Sequence, residues 1–289
     1  ALTGKGTEGA LDLFSSIIVK SLMSISEKQP IPRAENIAMF KSNTGNIHDS
    51  RIIQGVAFRR RVLMDSLPNK LSDVKVAVIS GDIKIRKMTR TAEIQITSAD
   101  QLEAFVDAEQ DRKNSISQSL VDSGASLVLC GGEIDRDILH NLADNNILAV
   151  GELDSSEIEN SASATGAKIV DSIADIERKD LGFCGSVLWE RNEASDMVED
   201  IIRIDGCKKP GLVTIEVGGA GEIATEEIIR GLHDGLRAVS LAIEDQEILP
   251  GGGAIHSRIA NAVRVSSESE PGRARLAMEA FSRAMETIP

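Results

Sequence analysis

Three short apolar segments separated by polar, helix-like segments constrain the fold of this chain more than any other feature. The apolar segments are SLVLCGG (126–132), ILAVG (147–151) and KIVDS (168–172), and each has the length and composition of a buried strand. The segments between them, 133–146 and 154–167, read as helices. Strands that alternate with helices in this way predict a small parallel sheet and an α/β fold.

The remaining chain continues this mixture of helices and strands. Hydrophobic periodicity and turn residues predict further helices at 10–26, 98–124 and 221–245, and further strands at 56–63, 74–79, 91–97 and 212–219. The chain has 289 residues, which is longer than a usual single domain. Two or three structural units are therefore expected.

Charge and composition disfavour several classes of function. The net charge is −13 and the isoelectric point is near 4.9, which argues against binding to nucleic acid or to an anionic membrane. The basic run Arg59–Arg61 is too short to change this interpretation and is expected to be a solvated strand end. No apolar run reaches the length of a membrane span, and no signal-peptide pattern opens the chain.

The cysteines and the chain ends carry two further predictions. Cys130, Cys184 and Cys207 lie far apart and have no metal-ligand spacing, so we expect reduced, mostly buried thiols in a cytoplasmic protein and no metal site. The four histidines are equally scattered. The chain begins with Ala1 and ends at Pro289 directly after a helical pattern, which suggests a piece of a longer protein.

A carboxylate and a glycine run stand out in the segment GLHDGLRAVSLAIEDQEILPGGGA (231–254). On a helical period the apolar residues fall on one stripe, formed by Ile228, Leu232, Leu236, Val239 and Ile243. Asp234 lies beside this stripe, either as a solvated helix charge or as a carboxylate that reaches a neighbouring site. The glycines 251–253 form either a plain loop or a backbone that closely approaches phosphate or ribose oxygens.

Several motifs in a fixed order make a more specific pattern. They are LTGKG (2–6), ATGAKIV (164–170), DLGFCGSV (180–187), GCKKP (206–210), LHDGLR (232–237) and PGGGA (250–254). In these motifs the chain closely resembles the group II chaperonins, which are the archaeal thermosome and its eukaryotic cytosolic relatives. The resemblance covers essentially the whole chain. It implies an ATP-driven chaperone, with unfolded proteins as clients and other chaperonin subunits as partners in a double ring.

The resemblance also implies a division into domains. Residues 1–56 match the first part of an intermediate domain, and residues 57–215 match an apical substrate-binding domain with a lid protrusion near 81–118. Residues 216–250 match the second part of the intermediate domain, and residues 251–289 match part of a helical equatorial domain. The family's GDGTT phosphate-binding motif is not in this sequence, because it belongs to an N-terminal equatorial segment. That segment is expected to hold most of the ATP and Mg²⁺ contacts, so an ATPase-deficient, substrate-binding fragment (a holdase) is the alternative function.

Individual site residues follow from the same resemblance. Asp234 matches an aspartate that positions or activates the attacking water, which is the task of a general base in phosphoryl transfer. Lys5 matches a lysine of a loop that senses the γ-phosphate. The glycines Gly251, Gly252 and Gly253 match a backbone that lies against the nucleotide sugar. Val217 departs from the pattern, because the family usually has an arginine there.

The resemblance also implies which residues contact clients. Leu102 and Phe105 are expected either as exposed apolar residues of the lid protrusion or as core. Helices at 134–145 and 155–165 are expected to face the central cavity, where their mixture of Ile, Leu, Asp and Asn suits weak client contacts. An isolated enzyme that uses Asp234 and His233 as acid and base is disfavoured, because adjacent helical residues point about 100° apart.

Overall fold

The computed structural model describes residues 2, 6–26, 32–42, 45–85, 99–192, 199–208, 210–219 and 221–288. The chain divides into two compact units, 1–240 and 241–289. No helix in these ranges combines the length and apolar character needed to cross a membrane.

Ten strands and seven α-helices are formed by the described residues. The strands are β1 (Ile37–Lys41), β2 (Arg51–Ile53), β3 (Val56–Arg59), β4 (Lys70–Ile79), β5 (Leu127–Cys130), β6 (Leu148–Val150), β7 (Ile169–Val170), β8 (Gly182–Asn192), β9 (Glu199–Asp205) and β10 (Val213–Val217). The helices are α1 (Leu11–Ser26), α2 (Ala99–Ser123), α3 (Arg136–Asp144), α4 (Ser155–Thr165), α5 (Glu222–Asp245), α6 (Ala254–Ser267) and α7 (Arg273–Met285).

Seven strands of the first unit form one sheet, which we call the large sheet. Its order is β3-β9-β8-β4-β5-β6, and β7 pairs with the last residues of β4. The pairs β4–β5, β5–β6 and β4–β7 are parallel, as the three apolar segments predict. All four residues of β5 are buried, so both faces of the sheet are covered at this strand, which explains its uninterrupted apolar sequence.

The other half of the large sheet is antiparallel and was not predicted. Strands β8 and β9 form a long antiparallel pair, β8 pairs with β4, and β9 pairs with β3. The sheet is therefore mixed and larger than the small parallel sheet expected from the sequence. The physical reason is the length of β4: six of its first seven residues pair with β8, while its last two residues pair with β7. The predicted strand at 91–97 lies outside the described residues.

The core of the large sheet is mainly aliphatic, in keeping with an aromatic content of only 2%. Its buried cluster runs from Val56 to Leu212 and contains one tryptophan, Trp189, whose Nε1 donates to Pro68 O at 2.9 Å. The cysteines at 130, 184 and 207 are free and buried, as predicted. Burial raises the pKa of these thiols to about 11 for Cys130 and about 12 for the other two, so they are poor nucleophiles at neutral pH.

A second sheet, which we call the small sheet, joins segments that are far apart in sequence. Strand β10 lies in the middle, parallel to β1 and antiparallel to β2. Helix α1 packs against β10, and its Phe14, Leu22 and Ile25 are fully buried. This sheet leads from β10 into α5, the helix that carries Asp234.

The second unit is a pair of helices. Helices α6 and α7 pack against each other, and Ser282 Oγ of α7 donates to Ala260 O of α6 at 2.7 Å. Both of these residues are fully buried. Small residues at the contact let the two helix backbones approach closely.

Candidate functional site

The first candidate site lies on helix α5. Ile228, Leu232 and Leu236 are buried on one side of the helix, as the apolar periodicity predicts, whereas His233 and Asp234 are exposed. The Asp234 side chain therefore faces away from the core of its unit. A carboxylate in this position is held by a well-packed helix and remains accessible to a ligand.

The N-terminal residues of the chain contact α5 close to this carboxylate. A Cβ added to Gly235 would lie 2.5 Å from Ile18 Cδ1 of α1 and 3.4 Å from Leu2 Cδ2. The absence of a side chain at Gly235 is what lets α1 and Leu2 pack so closely on α5. Thr7 Oγ1 donates to Leu2 O at 2.8 Å. Lys5 itself lies outside the described residues.

The start of α5 is held to the small sheet by an ion pair. Lys41 Nζ of β1 lies 2.7 Å from Glu226 Oε1. The hydrogen bond from Lys41, together with its charge, lowers the pKa of Glu226 below the usual value. The pair connects the end of β1 to the first turns of the helix, so α5 is anchored both by apolar packing and by this contact.

The glycine run belongs to the second unit. Gly252 and Gly253 adopt left-handed backbone conformations, with φ of 64° and 76°. A Cβ added to Gly251 or Gly252 would meet no atom within 4 Å, so the backbone here is open on the outside. Gly253 is the N-cap of α6 and, within the described residues, no side chain caps this helix end. Open backbone followed by a helix N-terminus is compatible with contact to a sugar or phosphate group.

The second candidate site is the outer surface of the large sheet's helices. Helix α2 begins within the predicted protrusion, and every side chain described between Asp100 and Arg112 is exposed. These include Phe105 and Val106, which are 47% and 55% exposed. Phe105 is therefore a surface residue and not part of the core. The side chain of Leu102 lies outside the described part of the chain.

The base of α2 is fixed to α3 by a partly buried lysine. Lys113 Nζ lies 2.6 Å from Asp137 Oδ2 and 3.4 Å from both Asp135 Oδ2 and Glu109 Oε1. The hydrogen bond to Asp137 raises the pKa of Lys113, so the ammonium stays charged across the physiological range. The exposed part of α2 thus extends from a firmly held base.

The predicted client-facing helices present polar surfaces. The larger apolar side chains of α3 and α4, namely Ile138, Leu139, Leu142 and Ile158, are buried against the large sheet. Helical periodicity turns these side chains inward, so the outer faces of the two helices carry polar residues, including Asp144 and Asn145. Between α2 and α3 lies an open groove of about 210 Å³ lined by amide and hydroxyl groups, among them Asn114, Ser117 and Asn141.

The basic run Arg59–Arg61 lies at the end of β3, as expected, but two of its arginines are paired within the protein and not simply solvated. Arg59 Nη2 donates to Lys41 O at 2.6 Å, and Arg60 Nη2 lies 2.5 Å from Glu157 Oε2. Of the three, Arg61 alone is fully exposed. No group of three or more potential metal ligands occurs among the residues that the structure describes.

Comparison with known proteins gives these sites their context. The profile of the TCP-1/cpn60 chaperonin family matches residues 1–289. A thermosome subunit of Methanopyrus kandleri is 32% identical over 292 residues, and thermosome subunit alpha of Archaeoglobus fulgidus is 34% identical over 292 residues. Each alignment covers 100% of this chain and 53% of the relative, so the chain spans about half the length of these curated relatives.

A solved structure shows the same fold. The open-state monomer of a group II chaperonin from Methanococcoides burtonii superposes with a TM-score of 0.66 at 24% identity, over 100% of this chain and 65% of that one. The superposition confirms the predicted fold, a partial chaperonin subunit. The chain belongs to the TCP-1/cpn60 chaperonin family.

Proposed function

We propose that this chain is the client-binding and coupling part of an ATP-dependent chaperonin subunit. Such subunits would assemble into a cytoplasmic double ring that encloses unfolded proteins while they fold. The observation that carries the proposal is the position of Asp234, an exposed carboxylate on a helix that is otherwise anchored by apolar packing and by the ion pair to β1.

The arrangement of the two sheets supports the proposed domains. The small sheet is built from segments before and after the large sheet in sequence, as expected for an intermediate domain (1–56 and 216–250) that is interrupted by an apical domain (57–215). Strand β10 pairs within the small sheet, which favours a return to the intermediate domain at Val213, three residues earlier than proposed from sequence. Helices α6 and α7 would be part of the equatorial domain (251–289).

The described residues suit a role beside a bound nucleotide. ATP, bound with Mg²⁺ mainly by an equatorial segment outside this chain, would supply the phosphoryl group. The Asp234 carboxylate would orient a water molecule and accept its proton, and orientation of the nucleophile is the main task of the protein in phosphoryl transfer. Gly251–Gly253 would leave room for the sugar against bare backbone, and Lys5 would sense the terminal phosphate.

Client binding would use the large-sheet side of the molecule. The exposed apolar residues Phe105 and Val106 on α2 would contact unfolded segments, and the polar outer faces of α3 and α4 would add weak contacts. Weak polar and scattered apolar contacts favour many different clients over one tight partner.

The test compares the 289-residue chain with a complete subunit that contains it, using a chemically unfolded client. We expect the chain to slow aggregation of the client without nucleotide. The complete subunit should refold the client only with ATP and Mg²⁺ and should protect it from protease. Failure of ATP to change either readout in the complete subunit would contradict the proposal and would favour a substrate-binding holdase.

A further inference from the structure

Two stretches of described backbone connect the small and large sheets, and they lie side by side. The first is Ile53–Val56, between β2 and β3, and the second follows Asp205 at the end of β9. Cys207 N donates to Gln54 O at 2.9 Å, and Gln54 N donates to Asp205 Oδ1 at 2.8 Å. The sheets are thus joined by a narrow pair of crossings, which is the geometry of a hinge.

A row of charged side chains spans the same place. Glu216 of β10, in the small sheet, accepts hydrogen bonds from Nη2 and Nε of Arg203 at 2.7 and 3.1 Å, and Arg203 belongs to β9 of the large sheet. Glu216 also accepts from Arg51 Nε of β2 at 2.8 Å, and Arg203 Nη1 donates to Glu190 Oε2 of β8 at 2.6 Å. We call these four residues the hinge latch.

The central pair of the latch is buried. Glu216 is 3% exposed and Arg203 is 9% exposed. Charges removed from water are stabilised only while they remain in contact, and separating them leaves two uncompensated buried ions. Several hydrogen bonds join the guanidinium of Arg203 to the carboxylate of Glu216. Together they restrict both the distance and the angle between the two groups. A purely apolar contact would be non-directional and would permit sliding.

Glu216 lies just before the connection to α5. Gly218, two residues later, donates its N–H to Ser50 Oγ at 3.1 Å, and α5 begins at Glu222. The ion pair between Lys41 and Glu226 ties the first turns of α5 to the same sheet. Glu216 therefore lies six residues before the start of α5 in sequence, and described residues on both sides of the connection are bonded to the small sheet.

We propose that the hinge latch holds the large sheet in one orientation relative to the small sheet, and that its opening shifts α5. The orientation of the large sheet and the position of α5 would then change together. The consequence for catalysis, that α5 moves Asp234, rests on the proposed function. The proposed effect on the orientation of the two sheets does not rest on that function, because this orientation can be measured without nucleotide.

The test measures a distance across the hinge in the whole 289-residue chain. Spin labels are placed on Cys introduced at the exposed positions His48, beside the small sheet, and Glu159, on α4. The native thiols are buried and accept label poorly. We expect one narrow distance distribution in the parent and a distribution about twofold broader in Arg203→Met and in Glu216→Gln.

The matched control removes an ion pair of similar type within the large sheet. Arg191 contacts Asp65 and Asp200 at 2.7 and 3.1 Å, and neither contact crosses the hinge. The variant Arg191→Met should keep the parent distribution. If a single latch variant does not fold, the double variant Arg203→Met/Glu216→Leu removes both charges and is expected to fold with a broad distribution.

Two further readouts decide the outcome. Amide hydrogen exchange over residues 221–230 should be faster in the latch variants than in Arg191→Met. A parent-like distribution in all folded latch variants, or equal broadening in Arg191→Met, would overturn the latch. Broadening without any change in exchange at the start of α5 would overturn its link to the helix.

Discussion

Glu216 is a charged residue at a fully buried strand position, and its environment determines how stability depends on pH. Burial opposes its ionisation, but hydrogen bonds from Arg203 and Arg51 outweigh burial and lower its pKa below 4.5. A carboxyl group whose pKa is lowered by folding stabilises the protein above its unfolded pKa. That stabilisation is lost as the pH falls through the folded pKa.

We therefore expect Glu216→Gln to reduce the free energy of unfolding by about 3 kcal/mol at neutral pH, because Arg203 keeps its charge without its main partner. Urea unfolding should show a smaller difference between parent and variant at acidic pH than at neutral pH, because protonation of the parent carboxylate removes its stabilising charge. Glu190→Gln is the control, since Glu190 is an exposed partner of the same arginine and should cost at most about 1 kcal/mol. An equal reduction in the free energy of unfolding at both pH values would contradict the prediction.

Asp234 makes a different prediction, because it is exposed and its proposed role concerns a reaction rather than the core of the fold. In a complete subunit, Asp234→Asn is expected to lower the rate of ATP hydrolysis by about a hundredfold or more, while nucleotide binding remains. Asp245→Asn is the matched control, since Asp245 is another exposed aspartate of the same helix. Steady-state turnover and nucleotide affinity are the measurements. Unchanged turnover in Asp234→Asn would remove Asp234 from the proposed site.

Among the elements, the crossing from β2 to β3 is the most tightly constrained. A Cβ added to Gly55 would overlap the carbonyl oxygen of Ile204, which the β9 pairing holds in place. Gly55 O also accepts a hydrogen bond from Thr214 Oγ1 at 2.8 Å. Because backbone cannot rotate away as a side chain can, the crossing tolerates only glycine.

Gly55→Ala is accordingly expected to lower the free energy of unfolding by about 2 kcal/mol or more. Gly9→Ala is the control, because a Cβ at Gly9 would meet no atom within 4 Å and should change stability by less than about 0.5 kcal/mol. Thermal or urea unfolding of the two variants distinguishes them. Equal stability would show that the crossing can relax.

The strands and helices that the sequence predicts share a local hydrophobic pattern. The elements that it does not predict lack such a pattern. Strands β5 and β6 and the buried face of α5 follow from apolar runs or a helical period within a few residues. Strand β8 has no such pattern, and its pairing with β4 joins residues more than a hundred positions apart. The contact between Glu216 and Arg51 is equally non-local, so no nearby residue indicates that the charge is buried and paired. Asp234 was placed beside the stripe by periodicity, but its role came from the resemblance.

At the scale of the whole molecule, the core determines which part should fold by itself. The main buried cluster lies between Val56 and Leu212. The small sheet, by contrast, is built from strands that precede and follow this range in sequence. A fragment of residues 56–212 is long enough to bury a stable core. We expect it to be soluble and to unfold cooperatively.

Trp189, the one tryptophan of the sequence, reports on this fragment, because it is 9% exposed and packs in the cluster. Its fluorescence should be blue-shifted in the fragment and should change in a single transition with urea, as in the 289-residue chain. A gradual change, or emission typical of exposed indole, would mean that the fragment needs the small sheet. The fragment should bind unfolded protein weakly and should not hydrolyse ATP.

If the hinge latch shifts the start of α5 as proposed, the helix would act as a lever arm. Asp234 lies twelve residues beyond Glu222, so its backbone is about 18 Å from the start of the helix along the axis. A tilt of about ten degrees at that start would displace the carboxylate by about 3 Å, roughly the diameter of a water molecule. If Asp234 orients a water molecule as proposed, a small tilt of α5 would decide whether that water molecule fits against the carboxylate.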